Sequence, residues 1–308
     1  MNQRVAVIDL GTNTFHLLIA EGNMDDYREL VHEQVPVKLG EGGINDGLIQ
    51  PAAFERGLQT MEQFRHLIDQ HGVTTVKAIG TSALRSAENG RAFMDAVKTK
   101  TGLTIEIIDG DTEAEYIYRG IKASGCLSEK DSLVIDIGGG SVEFIICNQD
   151  RIHWKQSFEA GAARLMDRFH HRDPIAPESI TALTLYLEDT LASLFTAASN
   201  YQIEKLVGSS GVFETYAALI ESEKGKSFDL KKTKNYSFNK DELLEVIEKL
   251  ILSTHQERTG NELIIPVRVD MIVTASILTR FVIRKLEINE IVMTTNSLKE
   301  GVLVEMMG

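Results

Sequence analysis

A short segment near the N-terminus is repeated in the middle of the chain, and this repeat constrains the fold more than any other feature. Residues 7–19 read VIDLGTNTFHLLI, and residues 134–146 read VIDIGGGSVEFII. The two segments align at an offset of 127 positions, which places Asp9 over Asp136. Each reads as a strand, a tight turn and a second strand. We therefore predict two related α/β domains, each opened by its own hairpin.

The turns of these hairpins are built from small residues and follow an acid. Because glycine loses more conformational freedom on folding than other residues, three in a row need a reason. Backbone N–H groups and hydroxyls in such a turn can cradle phosphate oxygens. A divalent cation would relieve the repulsion between that phosphate and the preceding carboxylate, Asp9 or Asp136. The predicted phosphate-binding residues are Gly11, Thr12, Asn13 and Thr14 in the first turn, and Gly138, Gly139, Gly140 and Ser141 in the second. The alternative is a pair of ordinary turns whose acids only bind turn amides.

Composition excludes several classes of protein. The chain has 308 residues, 43% of them apolar, and a formal net charge of −13. This charge argues against a general nucleic-acid or membrane-surface binder. The two cysteines, Cys126 and Cys147, lie outside any zinc-ligand spacing. Because the N-terminus runs directly into a strand pattern without a signal-peptide core, we expect a cytoplasmic protein that makes no membrane contact.

The periodicity predicts helices over 51–71, 88–101, 112–124, 177–200 and 239–254, with strands between them. Asp111 is the predicted N-cap of the helix over 112–124, and Asn239 with Glu242 predicts a capping box. The pattern restarts near residue 130, where we place the domain boundary.

Four further positions outside the turns carry candidate chemistry. Thr81 and Arg85 start a helix after a strand, an arrangement that attracts anions, although a solvated arginine beside an N-cap is the simpler interpretation. Glu113 lies in the first turn of its helix, where complementing the helix dipole would also explain it. Glu143 shares a strand face with Ser141, and a solvent-facing strand residue is the alternative.

Taken together, the motifs resemble the exopolyphosphatase/guanosine pentaphosphate phosphohydrolase (Ppx/GppA) family within the superfamily of actin-like ATPases and sugar kinases. The resemblance covers nearly the whole chain. Besides the two hairpins it rests on GTSALRSAENGRAF (80–93), IDGDTEAEYIYRGI (108–121), VGSSGVFETYAAL (207–219) and SLKEGVL (297–303). It implies two related actin-like, ribonuclease H-like domains facing each other across a cleft. It also implies a short two-domain form, with residues 1–122 and the helix 297–308 in one domain and 123–296 in the other.

The resemblance also implies roles for residues. Glu113 would be the base that orients the attacking water, and Thr81 and Arg85 would hold phosphate. Asp136, Glu143 and Asp9 would bind Mg²⁺ or Mn²⁺, and Glu143 would help to place the water. Gly208 and Ser209 would border the phosphate site, although an ordinary turn after a strand explains them equally well. The sequence departs from the family at Lys299, where arginine is more common, and an Arg-to-Lys change loses planar bidentate geometry.

These features predict a metal-dependent hydrolase that releases terminal phosphate from inorganic polyphosphate or guanosine pentaphosphate, working as a homodimer. Two alternatives remain open. One is a non-catalytic sensor that binds guanosine tetraphosphate or polyphosphate, and the other is a sugar kinase or ATPase of the same superfamily. No distinct kinase signature is present, and the intact acids count against a sensor.

Overall fold

The computed structural model describes residues 3–23, 26–209, 211–230 and 232–308. The chain divides into two compact units. Unit 1 comprises Met1–Ala123 with Leu298–Gly308, and unit 2 comprises Ser124–Ser297. Unit 1 is therefore made from two separate stretches of chain. Across the described residues, helices long and apolar enough to cross a membrane are absent.

The first stretch of unit 1 folds into a sheet with helices. Its elements are β1 (Gln3–Leu10), β2 (Phe15–Asn23), β3 (Asp26–Val35), α1 (Pro51–Gln70), β4 (Thr75–Gly80), α2 (Ser82–Ser86), α3 (Gly90–Thr101), β5 (Ile105–Ile107) and α4 (Gly110–Ala123). The strand order is β3-β2-β1-β4-β5. β1, β2 and β3 pair antiparallel, whereas β4 is parallel to β1 and β5 is parallel to β4. Alternate β1 residues such as Ile8 and Leu10 join Met61 and Phe64 of α1 in one buried core.

Unit 2 contains β6 (Ser132–Ile137), β7 (Val142–Cys147), β8 (Ile152–Phe158), α5 (Ala162–Phe169), α6 (Pro177–Thr190), α7 (Ala192–Ala198), β9 (Lys205–Ser209), α8 (Gly211–Glu223), β10 (Asn235–Phe238), α9 (Lys240–Leu252), α10 (His255–Thr259), α11 (Met271–Lys285) and β11 (Glu290–Thr294). Its strand order is β10-β11-β9-β6-β7-β8. The last element of the chain, α12 (Leu298–Met307), returns to unit 1 and packs on α4 and β1.

The two sheets repeat one topology. Read from β8, unit 2 has the order β8-β7-β6-β9-β11, which matches β3-β2-β1-β4-β5, and β10 adds one antiparallel edge strand. The hairpin registers also coincide, because Asp9 pairs with His16 and Asp136 pairs with Glu143 at the same offset. Three antiparallel strands followed by two parallel ones form the ribonuclease H-like arrangement. The predicted class, mixed α/β with two related domains, is confirmed.

Some element boundaries differ from the prediction. α4 begins at Gly110, and Asp109 is the cap, because its Oδ1 accepts the Thr112 N–H at 2.7 Å. Asp111 is an acid inside the first turn instead. The predicted helix over 177–200 is interrupted at Leu191 and forms α6 and α7. The Asn239 cap is confirmed, because its side chain accepts the N–H groups of Asp241 and Glu242.

Candidate active site

Lack of space favours glycine at the first position of both hairpin turns. In the first turn, the Gly11 N–H donates to the Thr14 carbonyl at 3.1 Å. A Cβ on Gly11 would lie 2.9 Å from the Thr14 carbonyl oxygen, and one on Gly138 would lie 3.0 Å from that of Ser141. Both distances are shorter than ordinary carbon contacts. The sequence repeat is thus a repeat of turn geometry as well.

Backbone N–H groups of the segment 37–40 bind the carbonyl groups of the first turn and hold it in place. The Lys38 N–H donates to the Asn13 carbonyl at 2.7 Å, and the Gly40 N–H donates to the Thr12 carbonyl at 3.0 Å. Lys38 has a φ of 52°, a left-handed conformation that is uncommon outside glycine and carries strain. Sequence reasoning missed this support, and only the glycine-rich run around residues 40–43 hinted at it.

Arg85 and Glu113 form a largely buried ion pair in unit 1. The Arg85 Nη1 lies 3.0 Å from Glu113 Oε2 and donates to the Ile108 carbonyl at 3.0 Å. Glu113 is only 7% exposed. The Thr81 N–H approaches the Leu10 carbonyl at 3.4 Å, which ties the start of α2 to the end of β1. The structure therefore pairs Arg85 with Glu113, and it places the backbone of Thr81, at the start of the helix that carries Arg85, against the end of β1.

The glycine turn of unit 2 is held by the start of α5. The carbonyls of Gly138, Gly139 and Gly140 accept N–H groups from residues 161–163 at distances of 2.9–3.1 Å. A Cβ on Gly161 would lie 2.5 Å from backbone atoms of Gly139 and Gly140, so a side chain does not fit there. Sequence reasoning missed Gly161, although the small residues of AGAA (160–163) just before a helix were a signal.

Arg164 supports the same turn from the first turn of α5. Its Nε donates to the Gly140 carbonyl at 3.1 Å, and its guanidinium also binds Glu159 at 2.5 Å. Arg164 thus holds the backbone of the turn.

Gly161→Ala is expected to lower kcat/KM by about 10²-fold. The Gly161 φ of −68° suits any residue, so the effect would come from space alone. Relieving a 2.5 Å contact requires a movement of about 1 Å, and a shift of that size in a catalytic group can cost about 10²-fold. Phosphate-release kinetics with melting temperatures would measure it. Gly260→Ala is the matched control, since Gly260 has a φ of −73° and no contact nearer than 3.2 Å. Unchanged kinetics in folded Gly161→Ala would contradict the expectation.

A row of polar side chains crosses the sheet of unit 2. Ser209, Asp136, Glu143 and Ser157 pair in register across β9, β6, β7 and β8. Ser209 Oγ lies 2.9 Å from Asp136 Oδ2, and Ser157 Oγ donates to Glu143 Oε1 at 2.6 Å. Glu143 is 2% exposed, which excludes the solvent-facing alternative for this residue. Two carboxylates therefore lie on neighbouring strands, each with a hydroxyl partner.

This donor set fits a hard divalent cation. Carboxylate and hydroxyl oxygens are what Mg²⁺ and Mn²⁺ prefer, and Mg²⁺ is usually held by one or two carboxylates with water and phosphate. Within the part of the chain that the structure describes, His, Cys, Asp and Glu side chains form no group of three or more arranged to hold a metal. Asp136 and Glu143 are the two carboxylates of unit 2 whose chemistry fits such an ion. In unit 1, the corresponding pair is Asp9 and His16.

Gly208 has a packing reason of its own. A Cβ there would lie 2.3–2.5 Å from the Phe213 ring. Its phosphate-binding role stays a prediction, and the neighbouring Ser210 lies outside the described residues.

Lys299 is buried and pairs with the adjacent Glu300 at 3.2 Å.

Two units of ribonuclease H-like topology, each with an acid at the end of its first strand and a glycine turn after it, define a protein of the actin-like class. Within this class, the sequence profile of the Ppx/GppA phosphatase family matches residues 18–308, and the chain belongs to that family. The resemblance inferred from the motifs is confirmed.

Similar proteins cover almost the entire chain. A crystal structure of an exopolyphosphatase from Cytophaga hutchinsonii is 41% identical, with a TM-score of 0.96, over 99% of this chain and 98% of that one. Exopolyphosphatase 2 of Mycobacterium tuberculosis is 26% identical over 99% of both chains. A guanosine-5'-triphosphate,3'-diphosphate pyrophosphatase from Photobacterium profundum is 27% identical over 98% of this chain and 59% of its own length. These relatives are hydrolases, which favours the predicted enzyme class over the sensor and the kinase.

Proposed function

We propose that this protein hydrolyses the terminal phosphoanhydride bond of inorganic polyphosphate or guanosine pentaphosphate and depends on Mg²⁺ or Mn²⁺. The observation that carries the proposal is the largely buried Arg85–Glu113 pair of unit 1, whose arginine lies on the helix that starts where the Thr81 N–H meets the Leu10 carbonyl, one residue before the first glycine turn. The Arg85 guanidinium is a cation that can bind phosphate oxygens, and the Glu113 carboxylate can accept a proton from water. The names of the relatives, exopolyphosphatase and guanosine pyrophosphatase, support these two substrates.

Phosphate recognition would begin at the turns. Backbone N–H groups and hydroxyls of the segments 11–14 and 138–141 would bind oxygens of the terminal phosphates. Arg85 would divide its guanidinium between Glu113 and a phosphate oxygen, because its planar fork has donors for both. These contacts would orient the scissile bond before water attacks.

Glu113 would accept the proton of the attacking water. Its bond to Arg85 fixes the orientation of the carboxylate, and an ionised carboxylate is an acceptor for the proton of water. Asp136 and Glu143 would hold the metal, with the Ser209 and Ser157 hydroxyls orienting them. When bound, the metal would offset negative charge that develops on the phosphate in the transition state.

Phosphate release from defined substrates tests the proposal. We expect release from inorganic polyphosphate or guanosine pentaphosphate to exceed release from ATP, and to stop when EDTA removes divalent metal. Calorimetric binding of guanosine tetraphosphate should be measured alongside. Binding without release from any substrate would replace the hydrolase with a sensor. Phosphate transfer from ATP to a sugar would replace it with a kinase.

The family resemblance also supports a homodimer. Light scattering coupled to gel filtration would test this, since the monomer has a mass of 34.2 kDa. A monomeric mass over the concentrations used for kinetics would contradict it.

A further inference from the structure

Three side chains of unit 1 meet on the helix that carries Glu113. Lys77 of β4 donates from Nζ to the Tyr116 hydroxyl and to Glu305 Oε1, each at 2.6 Å. The Tyr116 hydroxyl in turn donates to Glu305 Oε1 at 2.7 Å. We call Lys77, Tyr116 and Glu305 the clamp. It joins β4, α4 and α12, three elements that are distant in sequence.

Two members of the clamp, Glu305 and Lys77, are charged at neutral pH. Burial raises the pKa of Glu305, but hydrogen bonds from its three neighbours outweigh this and lower the pKa to about 2. One of these neighbours is Arg119, which binds the other carboxylate oxygen. Burial lowers the pKa of Lys77, but its bonds to Glu305 and Tyr116 raise it overall. Glu305 is therefore a carboxylate, and Lys77 an ammonium, at any neutral pH.

A close backbone contact accompanies the clamp. A Cβ on Gly301 would lie 1.8 Å from the Tyr116 carbonyl oxygen and 3.1 Å from the Gly120 nitrogen. Gly301 and Glu305 are four residues apart and so lie on the same face of α12, as Tyr116 and Gly120 do on α4. α4 and α12 therefore pack closely, with Gly120 and Gly301 at their contact. The clamp restricts movement of one helix along the other.

Both members of the proposed catalytic pair depend on elements that the clamp joins. Tyr116 lies one helical turn after Glu113 on α4, so a movement of this part of α4 on loss of the Tyr116 hydroxyl contacts would carry Glu113 with it. Lys77 lies four residues before Thr81 on the strand that leads into α2 and Arg85. The clamp therefore ties the element that carries Glu113 to the one that leads to Arg85.

We propose that Glu305 is a positioning residue for the hydrolysis, which sets the position of Glu113 through Tyr116 and Lys77. This inference rests on the proposed function. It predicts that Glu305→Gln lowers kcat by about 10-fold or more with KM changed less than about 2-fold, since small displacements of a catalytic group are costly. Tyr116→Phe keeps the ring, removes the hydroxyl and should act in the same direction.

A double-mutant cycle separates positioning from general destabilisation. If Glu305 acts through Glu113, then Glu305→Gln added to Glu113→Gln should lower kcat less than about 2-fold further. Losses that multiply would overturn the inference. Glu21→Gln is the matched control: Glu21 binds Arg4 at 2.7 Å in the same sheet, away from the clamp, and its loss should leave kcat unchanged.

Hydrogen exchange gives a readout that does not need turnover. Amides of α4 over 113–118 should exchange several-fold faster in Glu305→Gln and Tyr116→Phe than in the wild type or in Glu21→Gln. Unchanged exchange in both clamp variants would overturn the inference. A wild type that releases no phosphate would refute the proposed function instead, and the exchange would still decide whether Glu305 positions α4.

Discussion

Glu113→Gln is expected to lower kcat by about 10²–10⁴-fold while the protein stays folded. The amide has nearly the size of the carboxylate, and its oxygen can still accept the bond from Arg85, so packing should survive. The substitution removes the acceptor for the proton of water, and general-base catalysis is typically worth about 10²–10⁴-fold. Substrate affinity should hold or improve, because one negative charge leaves a site for a polyanion. Phosphate release, substrate binding and melting temperature on this one variant would measure all three effects.

Asp111→Asn is the matched control for this experiment. Asp111 and Glu113 are both acids in the first turn of α4, but Asp111 is exposed. If each only complements the helix dipole, both substitutions should cost roughly 0.3–1 kcal/mol of stability and leave turnover unchanged. A folded Glu113→Gln enzyme that keeps more than about a tenth of the wild-type kcat would remove Glu113 from its assigned role. Asp136 or Glu143 would then be the next candidates for positioning the water.

Asp136→Asn is expected to give the second large loss of activity, on the order of 10²-fold or more, with partial recovery at high Mg²⁺. Charge stabilisation by a metal is worth several kcal/mol in the transition state, and the variant loses an anionic ligand for it. The amide oxygen can still accept the Ser209 hydroxyl, so the sheet should remain intact. Titrating activity against Mg²⁺ would show a higher half-saturating concentration than in the wild type.

Ser209→Ala distinguishes a metal ligand from a scaffold residue. It removes the hydroxyl beside Asp136 and keeps the carboxylate. If Asp136 binds metal, Ser209→Ala should cost less activity than Asp136→Asn and should leave the half-saturating Mg²⁺ concentration nearly unchanged. If the two variants behave alike and neither alters the metal dependence, Asp136 is a structural partner of Ser209.

Local patterns in the sequence were sufficient to predict the two hairpins and the order of their strands and turns. The 127-residue offset matched Asp9 with Asp136, and the structure pairs these residues with His16 and Glu143 in the same register. A turn closed by a local hydrogen bond, such as that between the Gly11 N–H and the Thr14 carbonyl, can be predicted from four consecutive residues. The acids and glycines of the candidate site were therefore visible without coordinates.

Contacts between distant segments were not visible in this way. The small residues around Gly161 do not say which segment its α-carbon approaches, because the contact with the backbone of Gly139 and Gly140 forms only when α5 docks. The bond between Arg85 and Glu113 likewise joins two helices, α2 and α4, that are separated in the chain by α3 and β5. β10 and α10, at four and five residues, are too short for hydrophobic periodicity to reveal.

The divided construction of unit 1 has a consequence for its biosynthesis. The surface of α4 that contacts α12, including the Tyr116 backbone, is complete early in translation, but its partner follows only after all of unit 2. At about 5–20 residues per second, that delay is on the order of tens of seconds. A nascent unit 1 would therefore present an uncovered helix face to chaperones, whereas unit 2, drawn from one continuous stretch, has all its strands available as soon as it emerges.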